Sequence, residues 1–154
     1  VKNAGRTTLI PAKVRHVDAR GDKVATIKHD GHTFLPGPPG TDTGRHMEAG
    51  AWGTAIFDTE KYKVVRRGEV DERAIIDRFP AADLVLLEGF KHSPWPKLEV
   101  VRAGNSAQPV CDPATLLALV TDLDLTVEGV PTIPLDGARA AQIVLDYLER
   151  EGRL

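Results

Sequence analysis

The chain has 154 residues, a formal net charge of −2 and 27% charged residues, which is ordinary for one globular domain. This balance argues against a nucleic-acid-binding protein, which would carry a clear basic excess. No apolar run reaches the roughly 18 residues of a membrane span, and no signal-peptide pattern stands among these residues. A single cysteine, Cys111, excludes an internal disulfide and favours a reducing compartment. We therefore expect a single cytoplasmic domain over residues 1–154, with no nucleic-acid or membrane partner.

The first elements after the N-terminal segment are a strand, a loop and a short helix. Residues 23–28, KVATIK, have the composition of a buried strand. Residues 29–44 are rich in glycine and proline, which is typical of a loop. Residues 43–49 predict a short helix, with Gly50 placed to end it.

The middle of the chain predicts a hairpin, a helix and a second buried strand. The β-rich runs at 52–57 and 61–66 are separated by a short turn, which favours an antiparallel hairpin. Residues 71–79 predict a short helix that Pro80 stops. Residues 83–88, DLVLLE, are apolar after the first position, as in a strand covered on both faces.

The last part of the chain continues the alternation of strands and helices. Residues 97–102 and 116–121 are further strands, and a helical turn is expected to begin at Asp112. Asp136 caps a final amphipathic helix that ends near Gly152. This order predicts an α/β layered domain with a mostly parallel sheet, made mixed by the antiparallel hairpin.

The first eight residues, VKNAGRTT, match most of a phosphate-binding loop, GxxxxGK(S/T). Gly5 aligns with the second glycine, Arg6 with the lysine and Thr7 with the hydroxyl residue. In such a loop, backbone N–H groups at a helix start bind phosphate oxygens, and the hydroxyl binds Mg²⁺. The first glycine of the motif would stand before Val1.

A carboxylate at the end of an apolar strand supports the same interpretation. Glu88 is followed by Gly89 at the carboxyl end of the strand 83–88, where open α/β sheets hold ligands. Glu88 together with Thr7 is therefore a candidate Mg²⁺ site. A surface glutamate at a strand end is the plainer alternative.

Five segments in this order resemble one family: KNAGRTTLI, VATIKHDGH, PGTDTGRHMEAGA, DLVLLEGFK and PWPKLEVVR. The resemblance is to the accessory (B) protein of molybdopterin-guanine dinucleotide biosynthesis, and it extends to about residue 125. It implies a three-layer P-loop NTPase-like fold, binding of GTP with Mg²⁺, and a homodimer. It also implies a role beside the guanylyltransferase that attaches GMP to molybdopterin, with molybdopterin or its guanine dinucleotide form as a further partner.

The resemblance also implies three groups of site residues. The phosphate loop corresponds to Lys2, Asn3, Ala4, Gly5, Arg6, Thr7 and Thr8, and a second nucleotide motif corresponds to Glu88 and Gly89. A candidate pterin or partner face comprises two polar clusters: Asp42, Arg45 and His46, and Lys91, Lys97, Glu99 and Arg102.

The chain departs from the family pattern in three places. Arg6 stands where the family has lysine, and its planar fork is not a compact point charge. Pro11 lies inside the helix expected after the loop, where proline is costly. The sequence also starts inside the motif, and we expect that the first strand of the domain is missing from it. We expect a short apolar strand and a glycine before Val1, and an opening in the sheet beside residues 23–28 or 83–88.

Guanine specificity is predicted from the segment after residues 116–121. Many P-loop GTPases read the base with an (N/T)KxD string, whose aspartate accepts hydrogen bonds from guanine. Thr121 and Asp124 have the matching spacing, although Asp122 replaces the lysine. Capping of a turn by aspartate is the alternative.

Other functions remain open at this stage. His29, His32 and Cys111 would bind metal in a metal-delivery GTPase on the same fold. A GTPase or a small-molecule kinase is a second alternative, although the sequence offers no residue to position water, so any GTP hydrolysis would be slow. A truncated copy without nucleotide function is the third.

Overall fold

The structure, a computed structural model, describes residues 4–30, 34–35, 37–38 and 40–153, with the side chains of residues 4–8 outside the description. The chain divides into two compact units, residues 1–29 with 79–154 and residues 30–78. In chain order the elements are α1 (Ala4–Asp18), β1 (Val24–Lys28), α2 (Asp42–Glu48), β2 (Gly53–Phe57), β3 (Tyr62–Arg66), α3 (Glu72–Ile76), β4 (Leu84–Glu88), β5 (Lys97–Val101), a 3₁₀ turn (Pro113–Thr115), β6 (Leu116–Thr121), β7 (Thr132–Ile133) and α4 (Gly137–Arg150).

The strands of the first unit are parallel throughout. β1 pairs with β4, with Val24 opposite Leu84 and Lys28 opposite Glu88. β5, β6 and β7 form a separate three-stranded sheet with β6 in the centre. The α/β class and the parallel pairing predicted from the sequence are therefore confirmed.

The opening predicted beside residues 23–28 or 83–88, the segments of β1 and β4, stays a prediction, since the outer edge of each strand is unpaired among the described strands. β1 and β4 pair directly with each other, while no pairing joins them to β5–β6–β7 among the described strands. All residues of β4 are half-buried, although their apolar character predicted a strand covered on both faces. The reason is that, within the described part of the chain, β1 is the only strand that pairs with β4.

Helices α1 and α4 pack closely on each other in the first unit. A Cβ atom added to Gly137 would lie 2.5 Å from the Cβ of Ala12, so this contact requires glycine at the start of α4. At the other end of α4, the Arg20 guanidinium lies 3.2 Å from the Glu149 carboxylate. A buried apolar cluster joins these helices to the larger sheet: Leu9, Ala118, Val120, Ile133 and Ala140.

Pro11 does not break α1, which continues to Asp18. The proline removes the N–H that would reach the carbonyl of Thr7, as the sequence predicts. Packing against α4 stabilises the helix despite this loss, because tertiary contacts commonly override local propensity.

The second unit contains α2, the hairpin β2–β3 and α3. The hairpin is antiparallel, as predicted, with Phe57 opposite Tyr62, and it forms a sheet of its own instead of joining the parallel strands. α2 begins after Thr41, whose hydroxyl accepts a hydrogen bond from the Gly44 N–H. Met47 is the buried apolar side chain of this helix. α3 is shorter than the predicted helix at 71–79, because it already ends at Ile76, with Asp77 as its C-cap.

Candidate functional site

The phosphate-loop motif coincides with the start of a long helix. α1 begins at Ala4 and runs for 15 residues, so Gly5, Arg6, Thr7 and Thr8 lie in its first turns. Lys2 and Asn3 lie outside the described residues, and so do the side chains of residues 4–8 of the motif. Their assignment to phosphate binding therefore stays a prediction.

The carboxyl ends of β1 and β4 are held together closely. The His29 N–H donates a 2.9 Å hydrogen bond to the Glu88 carbonyl. Gly89 follows with a φ of +96°, and an added Cβ would lie 2.6 Å from the His29 carbonyl oxygen. A side chain at Gly89 would therefore face both an unfavourable backbone conformation and a clash.

The Glu88 carboxylate is available for a ligand. Its side chain is half-buried and has no hydrogen-bond or ion-pair partner among the described residues. Lys28 is its register partner on β1, so the two side chains project from the same face of the sheet. Sequence reasoning missed Lys28, because its proximity to Glu88 depends on the pairing of distant strands. The predicted pairing of Glu88 with Thr7 around Mg²⁺ is untested, since the Thr7 side chain is not described.

The loop after β4 is organised by Lys97. The Lys97 ammonium donates to the carbonyl oxygens of Lys91, at 3.4 Å, and Ser93. The Phe90 ring lies 5.5 Å from the His29 ring at an angle of 53°. Of the two lysines assigned to the pterin or partner face, Lys97 thus holds the loop backbone, whereas Lys91 is exposed on it.

Glu99 has a structural role within the described residues. Its carboxylate is buried and accepts hydrogen bonds from the N–H groups of Val110, at 2.7 Å, and Cys111, at 3.1 Å. These bonds fix the segment between β5 and β6 over the sheet. We therefore place Glu99 in the scaffold and not in the pterin or partner face.

The turns after β5 and β6 are joined by Asp122. Its Oδ1 accepts a 3.0 Å hydrogen bond from the Ala103 N–H. The Thr121 hydroxyl accepts a 3.0 Å bond from the Leu123 N–H, which shapes the second turn. Asp124, the predicted guanine reader, is exposed on that turn. Asp122, which replaces the lysine of the GTPase string, thus has a structural role that the sequence did not indicate.

The other polar cluster belongs to the second unit. Asp42 is the first residue of α2, and Arg45 and His46 are exposed in its last turn. Arg67 donates to the Met47 carbonyl at 2.8 Å and thereby holds the end of this helix. Asp42, Arg45 and His46 therefore share one short helix, which belongs to the second unit and not to the first.

The metal-delivery alternative needs a cluster of several metal-binding side chains. No group of three or more His, Cys, Asp or Glu residues in that part of the chain could hold a metal ion. His32, which the metal-delivery alternative needs beside His29, lies outside the described residues. Among the described helices, none is long and apolar enough to cross a membrane.

Parallel strands, a long helix starting within a phosphate-loop motif and a carboxylate at a strand end define an α/β protein of the P-loop NTPase-like class. A family model described as Molybdopterin guanine dinucleotide synthesis protein B, MobB, matches residues 1–122. The chain belongs to this family, as its sequence motifs predicted.

Individual relatives agree with this assignment. The chain is 27% identical over 157 residues to a probable molybdopterin-guanine dinucleotide biosynthesis adapter protein of Bacillus subtilis, covering 97% of this chain and 90% of the relative. It is 25% identical over 155 residues to the adapter protein of that name in Escherichia coli, covering 96% and 89%. The crystal structure of Bacillus subtilis MobB matches with a TM-score of 0.72 and 25% identity, over 95% of this chain and 92% of that chain.

Proposed function

We propose that this protein is a GTP-binding adapter of molybdenum cofactor biosynthesis in the cytoplasm. It would present GTP, or the pterin product, to the guanylyltransferase that forms molybdopterin-guanine dinucleotide. The observation that carries the proposal is membership of the MobB family over residues 1–122, and curated relatives bear the name of adapter proteins in that biosynthesis.

The nucleotide would be held between the start of α1 and the end of β4. The first turn of a long helix directs free N–H groups and a partial positive charge at an anion. The Glu88 carboxylate, without a partner among the described residues, suits Mg²⁺, which prefers oxygen ligands. Thr7 would supply the second ligand, and Arg6 would bring a positive charge to the terminal phosphates.

Turnover of GTP would be slow, on the order of less than 1 per second. Fast phosphoryl transfer requires a residue that positions water and a cation that stabilises the transition state. No residue that would position water, and no arginine finger, is evident among the described residues at the end of β4. Presentation of an intact nucleotide to a partner enzyme therefore fits this site better than hydrolysis.

The second unit supports the homodimer that the family resemblance implies. Phe57 is 81% exposed and Tyr62 77% exposed, directly opposite each other on the hairpin. Ala55 and Val64, two pairs further along the hairpin, project from the same face, because side chains alternate along each strand. An isolated two-stranded hairpin is marginally stable in water. A second copy of the chain would cover this apolar face.

Titration of GTP with and without Mg²⁺ tests the nucleotide site. We expect the wild-type protein to bind GTP more tightly with Mg²⁺, and Glu88→Gln to lose this Mg²⁺ dependence while keeping metal-free binding. Glu128→Gln is the matched control, since Glu128 is exposed on a turn outside the site. A Mg²⁺ dependence that survives in Glu88→Gln would contradict the assignment of Glu88.

A further inference from the structure

A tight turn at the end of β5 places two polar side chains on one side. The Arg102 carbonyl accepts hydrogen bonds from the N–H groups of Asn105, at 3.2 Å, and Ser106, at 3.3 Å. This is the geometry of a single helical turn, in which residues four apart lie next to each other. The side chains of Arg102 and Ser106 are therefore neighbours.

Both side chains contain a buried polar atom that lacks a partner. The Nε atom of Arg102 and the hydroxyl of Ser106 are buried and make no hydrogen bond among the described residues. No carboxylate within that part of the chain lies within ion-pair distance of Arg102. Buried donors are nearly always paired in native proteins, so two orphans in one turn indicate a missing acceptor.

The turn that follows β6 lies next to this one and carries hydrogen-bond acceptors instead of donors. β5 and β6 are adjacent, with Val101 opposite Thr121, and the Asp122 carboxylate bonds to the Ala103 N–H across the gap between the turns. Asp124 is exposed on the second turn and can only accept hydrogen bonds when ionised. Donors and an acceptor thus stand on two joined turns at the carboxyl edge of a parallel sheet, the edge where such sheets hold ligands.

We propose that these two turns read the hydrogen-bonding edge of a 2-amino-4-oxopyrimidine ring. Arg102 and Ser106 would donate to the exocyclic carbonyl oxygen of this ring and to the nearest nitrogen of the ring fused to it, as arginine does to the O6 and N7 atoms of guanine. Asp124 would accept from the ring N–H and the 2-amino group. Adenine presents an amino donor where Arg102 needs an acceptor, so it would be rejected.

This ring edge is common to guanine nucleotides and to pterins. Its recognition as part of GTP rests on the proposed function, whereas its recognition as a pterin does not require the phosphate loop. The two sources are separated by comparing GTP with 6-hydroxymethylpterin, which carries the same ring edge and no phosphate.

The test compares binding of GTP, ITP, ATP and 6-hydroxymethylpterin by isothermal titration in the wild-type protein and in variants. We expect Arg102→Met to weaken GTP and ITP about tenfold and to leave ATP unchanged, because ATP lacks the oxygen that Arg102 contacts. Asp124→Ala should lower the affinity for GTP towards the affinity for ITP, because ITP lacks the 2-amino group that Asp124 would contact. Arg150→Met, on an exposed position of α4, is the control for loss of a positive charge.

A second variant guards against misfolding of Arg102→Met. Ser106→Ala keeps the Arg102 charge and the turn. It should lower the affinity for GTP and for the pterin by about threefold, while the unfolding temperature stays close to that of the wild-type protein. Loss of guanine preference in either variant supports the proposal.

Several results would overturn it. If the wild-type protein binds GTP and ATP equally, or if the variants keep their guanine preference, the orphan atoms bind only a structural water. If GTP fails to bind but the pterin binds in an Arg102-dependent way, the proposed nucleotide function is wrong and the ring-edge site stands. If neither binds, both are wrong.

Discussion

The carboxylate of Asp122 accepts a 3.0 Å hydrogen bond from the backbone N–H of Ala103, which joins the turns that follow β5 and β6. Asp122→Ala should lower the free energy of unfolding by about 0.5–1.5 kcal/mol, since it removes a hydrogen bond whose exposed N–H can still bond to water. GTP affinity should fall with it. Chemical denaturation measures the first effect, and Asp122→Asn, which keeps an acceptor oxygen, should restore most of both. Equal losses in the two variants would contradict a hydrogen-bonding role.

Gly89 offers a sharper test of backbone geometry. Gly89→Ala combines a left-handed backbone conformation with a Cβ atom 2.6 Å from the His29 carbonyl. We expect a loss of about 3 kcal/mol or more in unfolding free energy, because strain and clash add. Gly104→Ala is the control: its φ is +76°, yet nothing lies within 4 Å of the added Cβ. Its cost should be about 1–2 kcal/mol, from the backbone alone. Similar losses at both positions would show that the contact with His29 is unimportant.

Lys13 predicts how stability depends on pH. Burial of its ammonium on the inner face of α1 lowers the pKa from 10.5 to about 8. The unfolded chain then binds more protons than the folded chain between these two pH values, so stability should rise from pH 8 to 10.5. Below pH 8 Lys13 is charged in both states, and burial of its ammonium then lowers the free energy of unfolding by about 3 kcal/mol.

Replacing Lys13 separates this effect from other titrations. Lys13→Met should stabilise the protein at pH 7 and remove the rise in stability above pH 8, because it keeps the apolar stem and removes the charge. Denaturation midpoints measured from pH 7 to 10.5 check this, with the exposed Lys23→Met as control. A rise that persists in Lys13→Met would assign it to another group.

The apolar face of the hairpin predicts the state of association. A double variant, Phe57→Ser with Tyr62→Ser, should convert a dimer into a monomer, since it removes the two most exposed aromatic side chains among the described residues. Sedimentation velocity measures this directly. Val110→Ser, an exposed apolar position of the first unit, should leave the dimer intact. A dimer that persists in the double variant would place the interface elsewhere.

Local patterns predicted most of the elements, because apolar runs and turn residues mark them directly. The strand DLVLLE, the hairpin and the cap at Asp136 all depend on neighbours in the sequence. β7 was missed, since a strand of two residues has no pattern of its own.

Site contacts between distant residues could not be predicted. The need for glycine at Gly89 arises from its approach to the His29 carbonyl, 60 positions away by sequence number. The hydrogen bond from the Ala103 N–H to the Asp122 carboxylate likewise spans 19 positions. The unpartnered atoms of Arg102 and Ser106 depend on burial, which a single sequence does not reveal.

The most direct test of the central claim is formation of molybdopterin-guanine dinucleotide by purified guanylyltransferase, molybdopterin and limiting GTP, with and without this protein. We predict that the protein raises the initial rate at limiting GTP, that the effect fades at saturating GTP, and that Glu88→Gln gives less stimulation than wild type. An initial rate that is identical with and without the protein at every GTP concentration would contradict the adapter function.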